Sequence, residues 1–155
     1  MDDKVDRHSA RAQVSASPDL VFAYLTDPAR IGRWNLGAMD AVRLSSGAVQ
    51  GTSMFDGGAT VFELDADDAD ADANSKSRTV AYRVGADQSD LALRISARVE
   101  EAAVGGCVLH LSAERPRDMD DARWHRLCLV HEVEVLLIKA QAESETETED
   151  KPANR

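Results

Sequence analysis

A chain of 155 residues is long enough for one domain with a self-supporting core, and 43% hydrophobic content with only 5% aromatic residues makes that core mostly aliphatic. There is no run of about 18 apolar residues to cross a bilayer, and the polar, acidic start MDDKVDRHS lacks the apolar stretch of a secretory signal, so a cytoplasmic protein with no stable membrane insertion is expected. The net charge of −10 is concentrated in one loop (Asp65, Asp67, Asp68, Asp70 and Asp72, −5) and in residues 143–155 (−3), which argues against a nucleic-acid partner.

Residues 1–9 carry little apolar content and read as a disordered start. Ala10, Ala12, Val14 and Ala16 alternate with polar residues, the pattern of a half-buried strand. Ser17-Pro18-Asp19 then switches the period, with a serine N-cap, a proline at the first helical position and an acid near the positive helix end. Asp27-Pro28 breaks that helix, and Pro28 to Trp34 reads as a second short helix or turn.

From Leu36-Gly37 the character changes to short alternating strands. Val42 and Leu44 alternate with Arg43, Gly51 opens a strand through Phe55, and Asp56-Gly57-Gly58 is a hairpin signal because Asp-Gly tolerates positive φ. Phe62 and Leu64 lie on the return strand, and Asp65 to Lys76 reads as a loop. Three more strands follow, with Val80, Tyr82 and Val84, then Leu91 to Val99, then Cys107, Leu109 and Leu111 in the inward phase. Charged residues recur on the other side of each strand, so the sheet is antiparallel with one wet face.

Arg115-Pro116 ends the sheet, and about Asp118 to Glu143 reads as one long helix. Its apolar arc takes in Met119, Ala122, Leu127, Val130, Val133, Leu137 and Ile138. So wide an arc needs a partner, and the apolar face of the sheet is the available one. A curled sheet parts from a straight helix at one end, which leaves a cleft. Residues 144–155, SETETEDKPANR, read as a disordered acidic tail.

The opening RAQVSASPDLVFAYLTDPARIGRW, the hairpin GTSMFDGG and the closing RPRDMDDARWHRLCLVHEVEVLLIKAQAE resemble the START-like, or SRPBCC, superfamily over residues 10–143. That resemblance implies an α+β helix-grip fold: a curved antiparallel sheet of six to seven strands around a long C-terminal helix, with two short helices after the first strand. It also implies an apolar cavity that in such proteins holds lipids, sterols, polyketides, hormones or quinones. It supplies no universal catalytic motif.

The candidate ligand-binding residues are Phe55, Phe62, Tyr82, Leu93, Leu109 and Trp124 for shape, with Leu127, and His131 and Glu134 for polarity. Arg123, Glu134 and Gln141 fall near the centre of the helix's arc, with Arg126 and His131 toward its sides, where they either face the cavity or pair at its wet margin. In an enzyme of the polyketide cyclase or dehydratase kind, His131, Glu134 and Tyr82 would serve as acid and base. A protein-interaction module with a collapsed cavity is the third reading.

No metal or cofactor is expected. His131-Glu132-Val133-Glu134-Val135 starts like a zinc-protease helix but has Val135 where the second histidine belongs, and the aspartate loop lacks the glycine and glutamate of a calcium loop. Cys107 and Cys128 are too few for a zinc knuckle or a CxxC pair and read as reduced core thiols. The expected partner is a hydrophobic small molecule, bound by a monomer or homodimer.

Overall fold

The computed structural model describes residues 6–67, 77–89 and 91–150. Strand β1 (Arg7–Val14) alternates exposed and buried side chains, and Ser17 ends that period. Its hydroxyl accepts from Leu20 N at 3.2 Å and caps helix α1 (Pro18–Thr26), where Pro18 occupies a position whose N–H would have no helical partner. Asp27 closes α1 and caps α2 (Pro28–Trp34), its carboxylate accepting from Ala29 N at 3.1 Å. The buried Trp34 indole donates to Tyr24 O at 2.7 Å and ties the two helices together.

Strands β2 (Met39–Arg43), β3 (Val49–Thr52), β4 (Ala59–Asp67), β5 (Ser77–Gly85), β6 (Ala92–Glu101) and β7 (Cys107–Glu114) follow, and then helix α3 (Asp121–Asp150). The strands form one seven-stranded antiparallel sheet in the order β1-β7-β6-β5-β4-β3-β2. The turn from β3 to β4 is the Asp-Gly hairpin that the sequence predicts: Gly57 has φ +73°, and Asp56 Oδ1 accepts from Gly58 N at 2.8 Å. One face of the sheet carries the core, and α1, α2 and α3 cover it, which is the α+β helix-grip architecture.

Four details depart from the sequence reading. Strand β1 begins at Arg7, within the stretch read as a disordered start, because Arg7 pairs with Glu114 across the ladder and their side chains form an ion pair at 3.1 Å. In β2 the inward residue is Ala41, while Val42 is 58% exposed. A register shift between Met39 and Val42, with Asp40 at φ 52°, reverses the phase that plain alternation would give. Most of the Asp65–Lys76 loop lies outside the described residues, and β4 itself runs on to Asp67.

The fourth departure concerns α3. The helix continues past Glu143 to Asp150 instead of giving way to a disordered tail, while residues 151–155 lie outside the described residues. The extension is anchored by Glu145, whose Oε1 accepts from Arg30 Nη2 at 2.9 Å and whose Oε2 accepts from the Tyr24 hydroxyl at 2.7 Å. Its buried stripe is also rotated from the expected arc: His131, Glu134, Val135, Ile138 and Ala142 face inward, whereas Val133 is 47% exposed beside Leu129 and Leu136. The C-terminal half of α3 packs on β1 and α1; its N-terminal half stands off the sheet.

Candidate functional site

Where α3 leaves the sheet there is a cavity of about 290 Å³. Its floor is built from inward residues of consecutive strands: Phe62 of β4, Tyr82 and Val84 of β5, Ile95 of β6, and Leu111 and Ala113 of β7. Register explains the choice, since Tyr82 pairs with Ile95 and Ile95 with Ala113, forming one row across the sheet. Met119, just before α3, and Arg123, Leu127, Val130, His131 and Glu134 of α3 form the roof. Trp34, Asn35 and Gly37 close one side. The β3–β4 hairpin contributes Ser53, Phe55 and Asp56, and the Arg126 guanidinium lies 4.8 Å over the Phe55 ring.

Six of the expected residues thus line one cavity: Phe55, Phe62, Tyr82, Leu127, His131 and Glu134. Leu109 does not. It pairs with Val99 and Ala12, two rows away from Ala113, and is fully buried in the core. Trp124 is half-buried and outside the lining, and the side chain of Leu93 lies outside the described residues. Val84, Ile95 and Ala113 were missed as lining residues even though alternation places them inward. Which inward row meets the cavity depends on where α3 crosses, and that is not a local property of any strand.

The polar end of the cavity is the His131–Glu134 pair, one turn apart and only 4% and 3% exposed. Glu134 Oε2 accepts from Leu36 N at 3.0 Å. Its Oε1 lies 3.8 Å from His131 Nε2, too far for a direct hydrogen bond. Burial pushes the Glu134 carboxyl up to about 8, against the opposing pull of the Leu36 N–H. Burial, helped by the nearby His8, pushes the His131 imidazole down to about 4. At neutral pH this is a neutral acid beside a neutral base.

Tyr82 is differently placed. Its hydroxyl donates to Leu25 O at 2.6 Å, and burial, with Glu134 adding to it, raises its pKa. Its ring meets Phe62 edge-on at 6.1 Å, so it contributes shape to the floor. Of the other polar residues singled out on α3, Gln141 donates to Arg33 O at 3.1 Å, and Arg123 and Arg126 stand at the exposed mouth. Among the described residues no three His, Cys, Asp or Glu side chains converge to hold a metal ion, and no helix is long and apolar enough to cross a membrane.

The family described as polyketide cyclase / dehydrase and lipid transport matches residues 7–127, from β1 into the roof of the cavity. The chain belongs to this family. The polyketide cyclase / dehydrase and lipid transport fold is shared with protein CV1439 from Chromobacterium violaceum (13% identity, 89% of this chain and 98% of that one, TM-score 0.59). It is also shared with the Aha1 dimer from Colwellia psychrerythraea (15% identity, 89% and 96% covered, TM-score 0.60). DynU16, from the dynemicin biosynthetic locus, matches at 16% identity and TM-score 0.55 over 97% of this chain and half of its own length. No curated protein is recognisably similar in sequence.

Proposed function

We propose that the protein binds a compact apolar or amphipathic small molecule in the cavity between α3 and the sheet. The carrying observation is the cavity itself, walled by apolar side chains over most of its surface and polar at one buried end. Its 290 Å³ sits just below the about 300–1,000 Å³ typical of ligand pockets. That size favours a fused-ring polyketide or quinone of two or three rings over a sterol or a long-chain lipid. The open cavity also speaks against a collapsed interaction module.

Such a ligand stabilises the folded state by RT ln(1 + [L]/Kd). A thermal-shift panel of naphthalene-sized compounds is expected to raise the melting temperature of the wild type, while palmitate is not. Ala113→Phe, which fills the floor, is expected to abolish the shift. Equal shifts in wild type and Ala113→Phe would place binding elsewhere.

A second reading is an enzyme acting in the same cavity, favoured by the juxtaposition of Glu134 as a proton donor and His131 as a proton acceptor. Tyr82 drops out of that reading, because its proton is committed to Leu25 O. Turnover of a bound cyclisable or dehydratable ligand, lost in Glu134→Gln with binding retained, is the outcome that would favour it.

A further inference from the structure

We propose that the buried end of the cavity is a subsite for an uncharged hydroxyl group, held between His131 Nε2 and Glu134 Oε1. This rests on the reading of the cavity as a ligand site and names the chemical class that the site selects.

Three observations meet here. His131 and Glu134 both line the cavity, and His131 Nε2 stands 3.8 Å from Glu134 Oε1, a gap too wide for a direct hydrogen bond and of a span that one oxygen atom can bridge. Buried polar groups are costly to leave unpaired, and this gap marks the place of a missing partner. Next, Glu134 Oε2 is occupied by the Leu36 N–H, so the proton of the neutral acid resides on Oε1, which also lacks a hydrogen bond to His131 at 3.8 Å. Finally, the cationic side chains that line the cavity, Arg123 and Arg126, are both exposed residues, not part of its buried end.

A hydroxyl answers this arrangement better than other groups. It both donates and accepts, so it complements Nε2 whichever ring nitrogen carries the proton, while its lone pairs can take the Oε1 proton. A carbonyl matches only the tautomer with Nε2 protonated. A carboxylate would be an unpaired anion in a dry site beside another acid, and desolvation opposes it. The rest of the ligand then fills the apolar floor of Phe62, Ile95 and Ala113.

The test is isothermal titration of 2-naphthol, 2-methylnaphthalene and 2-naphthoate against the wild type, Glu134→Gln and His131→Phe at neutral pH. The wild type is expected to bind 2-naphthol at least about tenfold tighter than 2-methylnaphthalene, because the hydrocarbon leaves buried polar groups unpaired. The preference is expected to survive in Glu134→Gln, whose amide still donates, and to disappear in His131→Phe while 2-methylnaphthalene binding is kept. Retained hydrocarbon binding also shows that His131→Phe folds, and Glu134→Gln covers the case where it does not.

Equal affinity of the wild type for the hydrocarbon and the alcohol would overturn the hydroxyl subsite and leave the cavity reading standing. A preference that persists in His131→Phe would do the same. Tightest binding of 2-naphthoate would replace the subsite with an anion site. If no naphthalene binds at all, the cavity reading itself fails, and the subsite falls with it.

Discussion

Glu134→Gln is expected to be more stable than the wild type at pH 7, by about 3 kcal/mol, and to lose stability less steeply as pH rises. In the wild type both folded and unfolded carboxyls are protonated below the ordinary value of 4.5. Between 4.5 and about 8 the unfolded carboxyl ionises while the buried one keeps its proton. The unfolded state then binds fewer protons, and stability falls with rising pH by about 1.4 kcal/mol per unit. From 4.5 to 7 that amounts to the ~3 kcal/mol that a neutral amide removes.

His131 works in the opposite sense. Below its ordinary value of 6.5 the unfolded imidazole takes a proton that the folded one refuses down to about 4, so stability falls with falling pH. The two slopes cancel between 4.5 and 6.5. Wild-type stability is therefore expected to be level across that window, apart from the small rise with pH that His110, held low by burial, adds below 6.5, and to decline between 6.5 and about 8. Glu143, held low by its hydrogen bond from Lys139, and Glu145, held low by Arg30, add a further loss on the acid side. Tyr82 of β5, which faces the pair, has its pKa raised further by burial and stays neutral throughout this range. Urea unfolding across this range checks it; a wild-type profile that stays flat from 6.5 to 8 would show Glu134 to be ionised in the fold.

Gly51→Ala is expected to cost about 3 kcal/mol or more. A Cβ at Gly51 would stand 2.5 Å from the Ala38 carbonyl carbon and 2.6 Å from its oxygen, and these are backbone atoms that no rotamer change can move. The close approach seats residues 38–41 on β3. It thereby fixes the preceding turn, whose Leu36 N–H reaches Glu134. Gly37→Ala is the control. Its Cβ would meet only Asn35 Oδ1 at 3.5 Å, an ordinary contact, and it is expected to cost less than about 1 kcal/mol. Denaturant midpoints of the two variants should differ widely; similar midpoints would mean that the β3 contact relaxes easily.

Much of the fold was legible because its signals are local. Ser17-Pro18 and Asp27-Pro28 mark helix boundaries by hydrogen bonds made within three residues, and Asp56-Gly57-Gly58 marks its own turn. The inward phase of β5 and β7 follows from alternation alone. What alternation could not show was the reversed phase of β2, where an extra residue in the register changes which face Val42 takes.

The long helix was harder to read for two reasons. Its buried face is turned toward His131, which the sequence reading puts at the side of the arc, and away from Val133, because hydrophobicity alone does not rank a His–Glu pair as buried. Its last turns, SETETED, contain no apolar residue and persist through Glu145's contacts with Arg30 and Tyr24, more than 100 residues earlier in the chain. The site shows the same division. The polar pair was nameable from its spacing, but the row of the sheet beneath it, which includes Ala113 and excludes Leu109, depends on where α3 leaves the sheet.

Native mass spectrometry of the wild type beside Ala113→Phe, each first incubated with 2-naphthol, tests the central claim most directly. The account predicts a one-to-one complex with the wild type that disappears on denaturation and is absent from the folded Ala113→Phe variant. A complex of equal abundance in both proteins, or no complex with the wild type at any ligand concentration, would contradict it.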